Sequence, residues 1–347
     1  MKIDRQHVQD VFGKYTDAYD SKDPKIALKI EHTYHVAEVA DQVAHSLGLS
    51  QEDCDLAWIL GMLHDVGRFE QVRRYGTFVD SQSIAHALMS CQVLFPEDYG
   101  VEESVFRAMP NGHFGSLSDY LIAGDGTNDD ETEVGMEGCA DDNKVDTALD
   151  EKSDGKHKVE SDEKLNGKHK ADSDEKSDGK QKVESDEKLN GKHKAESDEW
   201  RHIIKLAISV HSALRIPDDI SEREAMFCNI LRDADKVDIF RVNVETPLTD
   251  IINTTEEEIR TSCVTADVMP AILEHHVVPR DRKFTAADHI VSHCCLAFEL
   301  VYKKSREIAV EQGYLKTLTE YVSENPETNQ VMDKLREQLS LVLEAEF

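Results

Sequence analysis

The chain has 347 residues and a formal net charge of −30, from 70 acidic and 40 basic residues. Such a surface repels nucleic-acid phosphates, so we expect no nucleic-acid partner. No run of about 18 apolar residues is present, which predicts no membrane span. The N-terminal segment lacks an apolar signal core, and the cysteines lack zinc-ribbon spacing. Together these features predict a cytoplasmic protein with reduced thiols.

Apolar residues in the first part of the chain recur at three- and four-residue steps, the spacing of one helix face. This pattern predicts helices over residues 31–47, 53–65 and 81–95. Gly67 stands just beyond the second segment, where a C-terminal cap is expected. Pro96 ends the third segment.

The middle of the chain contains an internal repeat. Residues 150–197 are four copies of a twelve-residue unit that opens with Asp-Glu-Lys. The copies lack a continuous apolar stripe, so burial cannot offset the entropy cost of ordering them. Because residues 124–149 are also acidic and contain scattered glycines, we predict a disordered insertion over 124–198. The histidines of the repeat are flanked by lysine, which favours a solvated segment over a metal-binding one.

The remaining sequence is again helical in pattern. Helices are predicted over residues 200–213, 222–242 and 286–312. Alternating strand patterns are nearly absent, so the predicted fold class is all-α. We expect residues 1–123 and 199–347 to be two parts of one helical domain that the insertion interrupts.

The sequence Leu-Gly-Met-Leu-His-Asp ends the second helical segment with His64 and Asp65. The preceding helix is apolar on most sides, and a buried unpaired aspartate is costly unless a cation lies beside it. Imidazole nitrogen and carboxylate oxygen are both metal ligands. For this pair alone an alternative is about as good, with Asp65 capping the next turn and His64 filling the helix end.

Further candidate ligands lie on other predicted helices. His35 and His86 lie beside apolar stripes, and each alone is better explained as a partly buried histidine than as a ligand. His211 ends a helix, where the macrodipole also favours it. Asp235 shares a stripe with Leu231 and Ile239, although Asp233 and Asp238 compete with it. Together with His64 and Asp65, these residues indicate a pocket that holds metal.

The order His35, His64-Asp65, His86, His211, Asp235 resembles the HD-domain superfamily of metal-dependent phosphohydrolases. The phrases LGMLHDVGRFEQVRRYGTF, DSQSIAHA and LRDADKVDIFR are similar to bacterial members. The resemblance covers about 30–110 and 200–245, with a weaker similarity to about 315. It implies an HD-domain-like helical bundle. The Gly-Tyr-Pro signature of the branch that acts on cyclic dinucleotides is absent.

The resemblance implies that one ion is surrounded by His35, His64, Asp65 and Asp235. His86 and His211 then match the extra histidines of members with two ions, with Asp65 as the bridge. Mixed His/Asp ligation suits Fe, Mn, Co, Ni or Zn. The implied reaction is attack on phosphorus by a metal-activated hydroxide.

Arg68 and Lys236 are adjacent in sequence to expected ligands and are candidates to hold the phosphate. A solvated charge or a surface ion pair explains them about as well. His113, between two glycines, is a weaker alternative to His211. His275-His276 is a further histidine pair outside the matched region.

The leading hypothesis is thus a metal-dependent phosphohydrolase acting on a small phosphate ester or nucleotide. The main alternative is a catalytically silent HD domain that senses a nucleotide or scaffolds a complex. A third hypothesis makes the repeat an interaction tether. The sequence does not indicate an oligomeric state.

Overall fold

A computed structural model describes residues 3–100, 117–121, 197–251 and 254–347. Within these ranges every regular element is a helix, so the predicted all-α class is confirmed. His113 and nearly all of the predicted insertion, including the repeat histidines, lie outside the described residues. None of the described helices is long and apolar enough to cross a bilayer.

The helices before the predicted insertion are α1 (Arg5–Thr16), α2 (Pro24–Ser46), α3 (Gln51–Leu63), α4 (Val66–Tyr75), α5 (His86–Leu94) and the short α6 (Leu117–Tyr120). Those after it are α7 (197–210), α8 (Glu222–Glu245), α9 (Leu248–Ile251), α10 (Glu256–Thr261), α11 (Val268–Leu273), α12 (Ala286–Cys295), α13 (Lys303–Gln312), α14 (Tyr314–Thr319) and α15 (Pro326–Leu343). Short 3₁₀ helices span Asp80–Gln82, Pro96–Tyr99, Arg280–Arg282 and Leu296–Glu299.

Helix α2 lies at the centre of the bundle, packed against α3 and α8. It begins at the N-cap Asp23, whose side chain accepts from the backbone N–H of Lys25, with Pro24 at the first helical position. Its buried residues include Val36, Ala40 and other members of the predicted apolar stripe. Because α2 touches helices from both sides of the predicted insertion, the described residues before it and those after it belong to one compact unit.

Two glycines hold the ends of α3 and α4 against neighbouring helices. A Cβ on Gly61 would lie 2.4 Å from the Cα of Ala37 on α2. A Cβ on Gly67 would lie 2.2 Å from the backbone nitrogen of Ser90 on α5. The prediction of Gly67 as a helix cap is therefore wrong: it lies inside α4, and close helix packing explains the glycine.

The predicted single helix over 286–312 is also wrong. The structure divides it into α12, a 3₁₀ turn and α13. The buried carboxylate of Asp233 on α8 accepts from the backbone N–H groups of Val301 and Tyr302, at 3.0 and 2.9 Å. These contacts hold the chain in a non-helical conformation just before α13 begins. A contact made from another helix leaves no signal in the local apolar pattern.

Ion pairs join α7 to the 3₁₀ turn that follows α5. Arg201 binds Glu97 and Asp98 at 2.6 and 3.1 Å, and Lys205 binds Asp98 at 2.8 Å. Lys205 also offers its backbone carbonyl to the thiol of Cys91, at 3.8 Å. Segments that lie more than 100 residues apart in sequence are therefore in direct contact, and α7 carries the chain towards His211.

Candidate metal centre

Five histidine and aspartate side chains form two groups that share one member. His32, His64 and Asp65 form the first group, and Asp65, His86 and His211 form the second. The potential ligand atoms within each group lie within 4.8 Å of one another, and all five residues are buried. We call these groups the first and second triads.

Asp65 presents one oxygen to each triad. Its Oδ2 lies 3.8 Å from Nε2 of His32 and 3.5 Å from Nε2 of His64. Its Oδ1 lies 3.9 Å from Nε2 of His86 and 3.8 Å from Nε2 of His211. Oδ1 is buried and has no hydrogen-bond partner among the described residues; its ion pair with Nε of Arg68 is long, at 3.5 Å. A buried carboxylate oxygen without a partner is costly, and a cation between Oδ1 and the two imidazoles would remove that cost.

Asp235 on α8 adds a second carboxylate to the first triad. Its Oδ1 lies 3.2 Å from Nε2 of His32 and 3.9 Å from Nε2 of His64. Among the described residues, Asp65 is the carboxylate that approaches Nε2 of both His86 and His211, and no second carboxylate pairs with these atoms as Asp235 pairs with His32. The first triad can therefore offer two imidazoles and two carboxylates, and the second can offer two imidazoles and one.

Every imidazole has its Nδ1 atom engaged on the side away from the triads. His64 and His211 lie 2.7 Å from the backbone carbonyls of Gly61 and Ile208, to which each Nδ1–H donates. His32 lies 2.6 Å from a carboxylate oxygen of Asp238, and His86 lies 2.7 Å from one of Asp80. A neutral ring that donates from Nδ1 carries its lone pair on Nε2, the tautomer that binds metal.

The Nε2 atoms are spaced like ligands of a common ion. They lie 3.3 Å apart between His32 and His64, and 3.0 Å apart between His86 and His211. Ligand bonds of 2.0–2.1 Å that meet at angles of 90–109° bring neighbouring nitrogens to about 2.9–3.4 Å. Two lone pairs that face each other at this distance repel without a proton or cation between them. The donor set and its spacing therefore fit divalent metal.

The charge states differ between the triads. Burial lowers the pKa of His86 to about 4, with Arg68 contributing. Burial, together with His64, lowers the pKa of His211 to about 4. Burial and Lys29 also act to lower the pKa of His32, but hydrogen bonds to Asp235 and Asp238 outweigh them and raise it. Near neutral pH the second triad thus offers unprotonated imidazoles, whereas a proton is held more firmly on His32.

The pKa of Asp65 lies well below its usual range. Burial alone would raise it, but the positive charge of Lys29, followed by His64 and Arg68, outweighs burial. The ammonium of Lys29 lies 2.7 Å from Oδ2. The bridging residue is therefore a carboxylate, the form that binds metal.

The structure does not bring His35 to the triads; His32 lies there instead. The side chain of His35 is 39% exposed, and its Nε2 lies 3.6 Å from Glu31. The prediction of His35 as a ligand is corrected to His32, which is almost fully buried. Successive helical residues diverge by about 100°, so His32 lies about 40° from the buried Val36 and His35 about 100° from it. The helix geometry would have identified His32 from the sequence.

The three aspartates of α8 have separate places. Asp235 lies beside the first triad, where the sequence predicts it. Asp233 binds backbone N–H groups next to α13, and burial raises its pKa. Asp238 lies behind His32 and binds Arg241 at 2.8 and 3.0 Å. The sequence did not identify Asp238 as the partner of a site histidine.

A cavity of about 560 Å³ opens beside both triads. Arg68 and Lys236, the two predicted phosphate-binding residues, line it, as does Lys29, which the sequence analysis missed. Lys29 is one turn before His32, a spacing that puts both on one helix face. Burial, followed by the charge of Arg232, lowers the pKa of Lys236.

Arg68 and Gln71 hold the loop that leads to His86. Arg68 donates to the carbonyl of Phe78 at 2.8 Å and binds Asp80 at 3.1 Å. Gln71 donates to Asp80 at 3.1 Å and to the carbonyl of Ile84 at 2.9 Å. Because Asp80 in turn contacts His86, the residues that follow the His-Asp pair position a ligand of the second triad.

The pair His275-His276 does not belong to the triads. His275 lies 2.8 Å from the side-chain oxygen of Gln338, and His276 lies 3.1 Å from Glu274. His275 has a positive φ of 57° at the end of α11. Both residues therefore have other partners.

Comparison with known proteins finds one family match. The family model described as HD domain matches residues 30–136. The matched range contains His32, His64, Asp65 and His86, whereas His211 and Asp235 follow it. No curated protein and no solved structure matches the chain. The resemblance predicted from the sequence is confirmed over this segment: residues 30–136 match the model of the HD domain.

Proposed function

We propose that the protein is a metal-dependent phosphohydrolase that acts on a small phosphate ester or nucleotide and uses two divalent ions. His32, His64, Asp65 and Asp235 would hold one ion. Asp65, His86 and His211 would hold the other, with Asp65 as the bridge. Fe, Mn, Co, Ni and Zn are all compatible with this donor set.

The observation that carries the proposal is the convergence of four imidazole Nε2 atoms on one buried aspartate. Each ring has its Nδ1 occupied behind it, and Asp65 Oδ1 has no hydrogen-bond partner among the described residues. A structural role for the same residues would pair these polar atoms with one another through hydrogens. Pairing through metal satisfies all of them together.

Bound divalent ions would supply an activated water and neutralise the charge that develops on phosphorus. The protein's own cations are placed to hold the phosphate. Lys29 and Arg68 both line the cavity beside Asp65. The buried Nε of Arg68 has no hydrogen-bond partner among the described residues and lies 3.5 Å from Asp65 Oδ1. An arginine N–H beside the bridging carboxylate can bind a phosphate oxygen. Lys236 adds a further positive charge to the same cavity.

The test is metal analysis of protein purified without chelator, followed by hydrolysis assays on phosphate monoesters, nucleotides and phosphodiesters. We expect two metals per chain and measurable phosphate release. Asp65→Asn should lose metal from both triads and lower kcat by about 10³-fold or more, because the metal contribution is several kcal/mol.

Asp218→Asn, an aspartate exposed to solvent, is the control and should match the wild type. A folded Asp65→Asn protein with full metal content would refute the bridging role. Full metal content in the wild type without hydrolysis of any ester would instead favour the silent domain that senses a nucleotide or scaffolds a complex.

A further inference from the structure

Apart from the imidazoles of His86 and His211 in the second triad, the described residues that line the cavity offer no aromatic ring for a nucleobase to stack on. Among the described residues that line it, the apolar side chains are aliphatic, such as Leu214, Ile239 and Leu296. Base recognition in proteins commonly relies on stacking against aromatic side chains, because every base has a π-face. Away from the second triad, this cavity provides hydrophobic contact but no stacking surface within the described part of the chain.

Phe78 and Phe298, two phenylalanine rings next to residues of the cavity region, make other contacts. Phe78 lies 5.7 Å from the ammonium of Lys29 and 5.6 Å from the guanidinium of Arg68, measured to the ring centroid. Phe298 packs on the ring of His275 at 5.1 Å. Phe78 therefore supports the cations that face the phosphate, and neither ring belongs to the cavity wall.

The polar part of the lining alternates donors with acceptors. Lys236 and Glu299 form an ion pair of 3.3 Å whose side chains are 10% and 23% exposed. Asp281 and Lys283 lie in the wall, and the hydroxyl of Ser292 adds a group that both donates and accepts. Carboxylates in the wall would repel a second phosphate, but they accept hydrogen bonds from hydroxyl groups.

Arg232 keeps this arrangement in place. Its guanidinium donates to the backbone carbonyls of Val210, His211 and Leu214, at 3.1, 3.2 and 3.2 Å. It also lies 3.8 Å from Glu299. With Arg232 bound to the turn that carries His211, the Lys236–Glu299 pair has a fixed position relative to the second triad.

Given the phosphohydrolase function proposed above, we propose that the substrate is the phosphate monoester of a sugar or another polyol and that nucleotides are poor substrates. The phosphate lies at the triads with Lys29 and Arg68. The hydroxyl groups of the substrate donate to Glu299 and accept from Lys236, and its C–H face lies on Ile239 and Leu296. Hydroxyl groups match a wall of paired donors and acceptors, whereas a planar base finds no phenylalanine, tyrosine or tryptophan ring among the described lining residues.

Ribose 5-phosphate and adenosine 5′-monophosphate give a matched comparison, because they share the reacting ester and differ mainly in the base. The metal-loaded full chain is assayed with both, and with glycerol 3-phosphate, glucose 6-phosphate and the other nucleoside monophosphates. We expect kcat/KM for the best sugar or polyol phosphate to exceed that for the best nucleotide by at least about tenfold. An equal or higher value for a nucleotide overturns the substrate class and leaves the phosphohydrolase function standing.

Calorimetric binding of the same two ligands separates the two proposals. Tenfold tighter binding of ribose 5-phosphate with no hydrolysis of any ester would refute the phosphohydrolase function while supporting the polyol-phosphate class. Equal binding, or tighter binding of adenosine 5′-monophosphate, refutes the class whether or not hydrolysis occurs.

A variant locates the hydroxyl contact. Glu299→Leu keeps the approximate shape and removes the acceptor, so the ratio of kcat/KM for ribose 5-phosphate to that for p-nitrophenyl phosphate should fall about tenfold. Glu320→Leu changes an exposed glutamate and should keep the wild-type ratio. An unchanged ratio in Glu299→Leu with full metal content would overturn the proposed contact.

Discussion

The two triads are built on the same plan but differ in charge. Each contains one histidine backed by a carboxylate, His32 or His86, and one backed by a backbone carbonyl, His64 or His211. The first triad has Asp235 as a further carboxylate, whereas within the described part of the chain the second has only its share of Asp65. The affinity of a site for a divalent ion rises with the number of anionic ligands. We therefore expect the first triad to bind its ion more tightly than the second.

Among ligands that belong to one triad only, the largest effect on metal content and kcat is expected from removing His32, which the first triad takes from α2. His32→Ala should lose the tightly bound metal and lower kcat by about 10³-fold, since a two-ion site loses its charge clamp. Elemental analysis and phosphate release on the same sample measure both effects. His35→Ala is the control on the same helix and should keep metal and activity; loss of metal in that variant would restore His35 as a ligand.

A smaller effect on metal content is expected from removing the two histidines of the second triad. The double variant His86→Ala, His211→Ala should bind about one metal per chain and keep the tighter phase of loading, because the first triad retains all of its ligands. Titration with Mn²⁺ or Fe²⁺ measures the stoichiometry. A wild type that holds only one metal at saturation would rule out the two-ion arrangement, although a single-ion hydrolase would remain possible.

The smallest effects should come from the carboxylates behind the histidines. Asp238→Asn should weaken binding at the first triad, and Asp80→Asn should weaken binding at the second, each by about 10–100-fold. The asparagine can still contact Nδ1, but its neutral oxygen is a weaker acceptor. Competition with a chelator measures the metal affinity of the first triad and that of the second triad separately. If Asp80→Asn weakened the tight site instead, the assignment of the two phases would be reversed.

Features of the fold and site that depend on residues close together in sequence were predictable, whereas those that depend on contacts between distant residues were not. The helix class, Asp65, His86 and Asp235 follow from local apolar patterns and the family-like phrases, and the structure places them together. His35 was predicted as a ligand and His32 was not considered, although the structure places His32 at the first triad. The break before α13 depends on Asp233, which is 68 residues before Val301, so no local pattern could reveal it.

The residues proposed to bind phosphate were also predictable only where they lie close in sequence to predicted ligands. Arg68 and Lys236 were identified because they adjoin ligands in sequence, and both line the cavity. Lys29 adjoins no predicted ligand, and only the approach of α2 to the start of α4 brings its ammonium to Asp65. The partners of Arg68 in the 78–86 loop likewise depend on how that loop folds back.

The division of the ligands along the chain has a consequence for biosynthesis. His32, His64, Asp65 and His86 precede residue 100, whereas His211 and Asp235 come more than 100 residues later. A nascent chain that has not reached α7 would lack one ligand of each proposed site, Asp235 for the first and His211 for the second. Because domains form progressively as the ribosome releases the chain, the second ion would lack its full coordination shell until translation has passed His211, and the first until it has passed Asp235. A product terminated before α7 would be deficient at both sites.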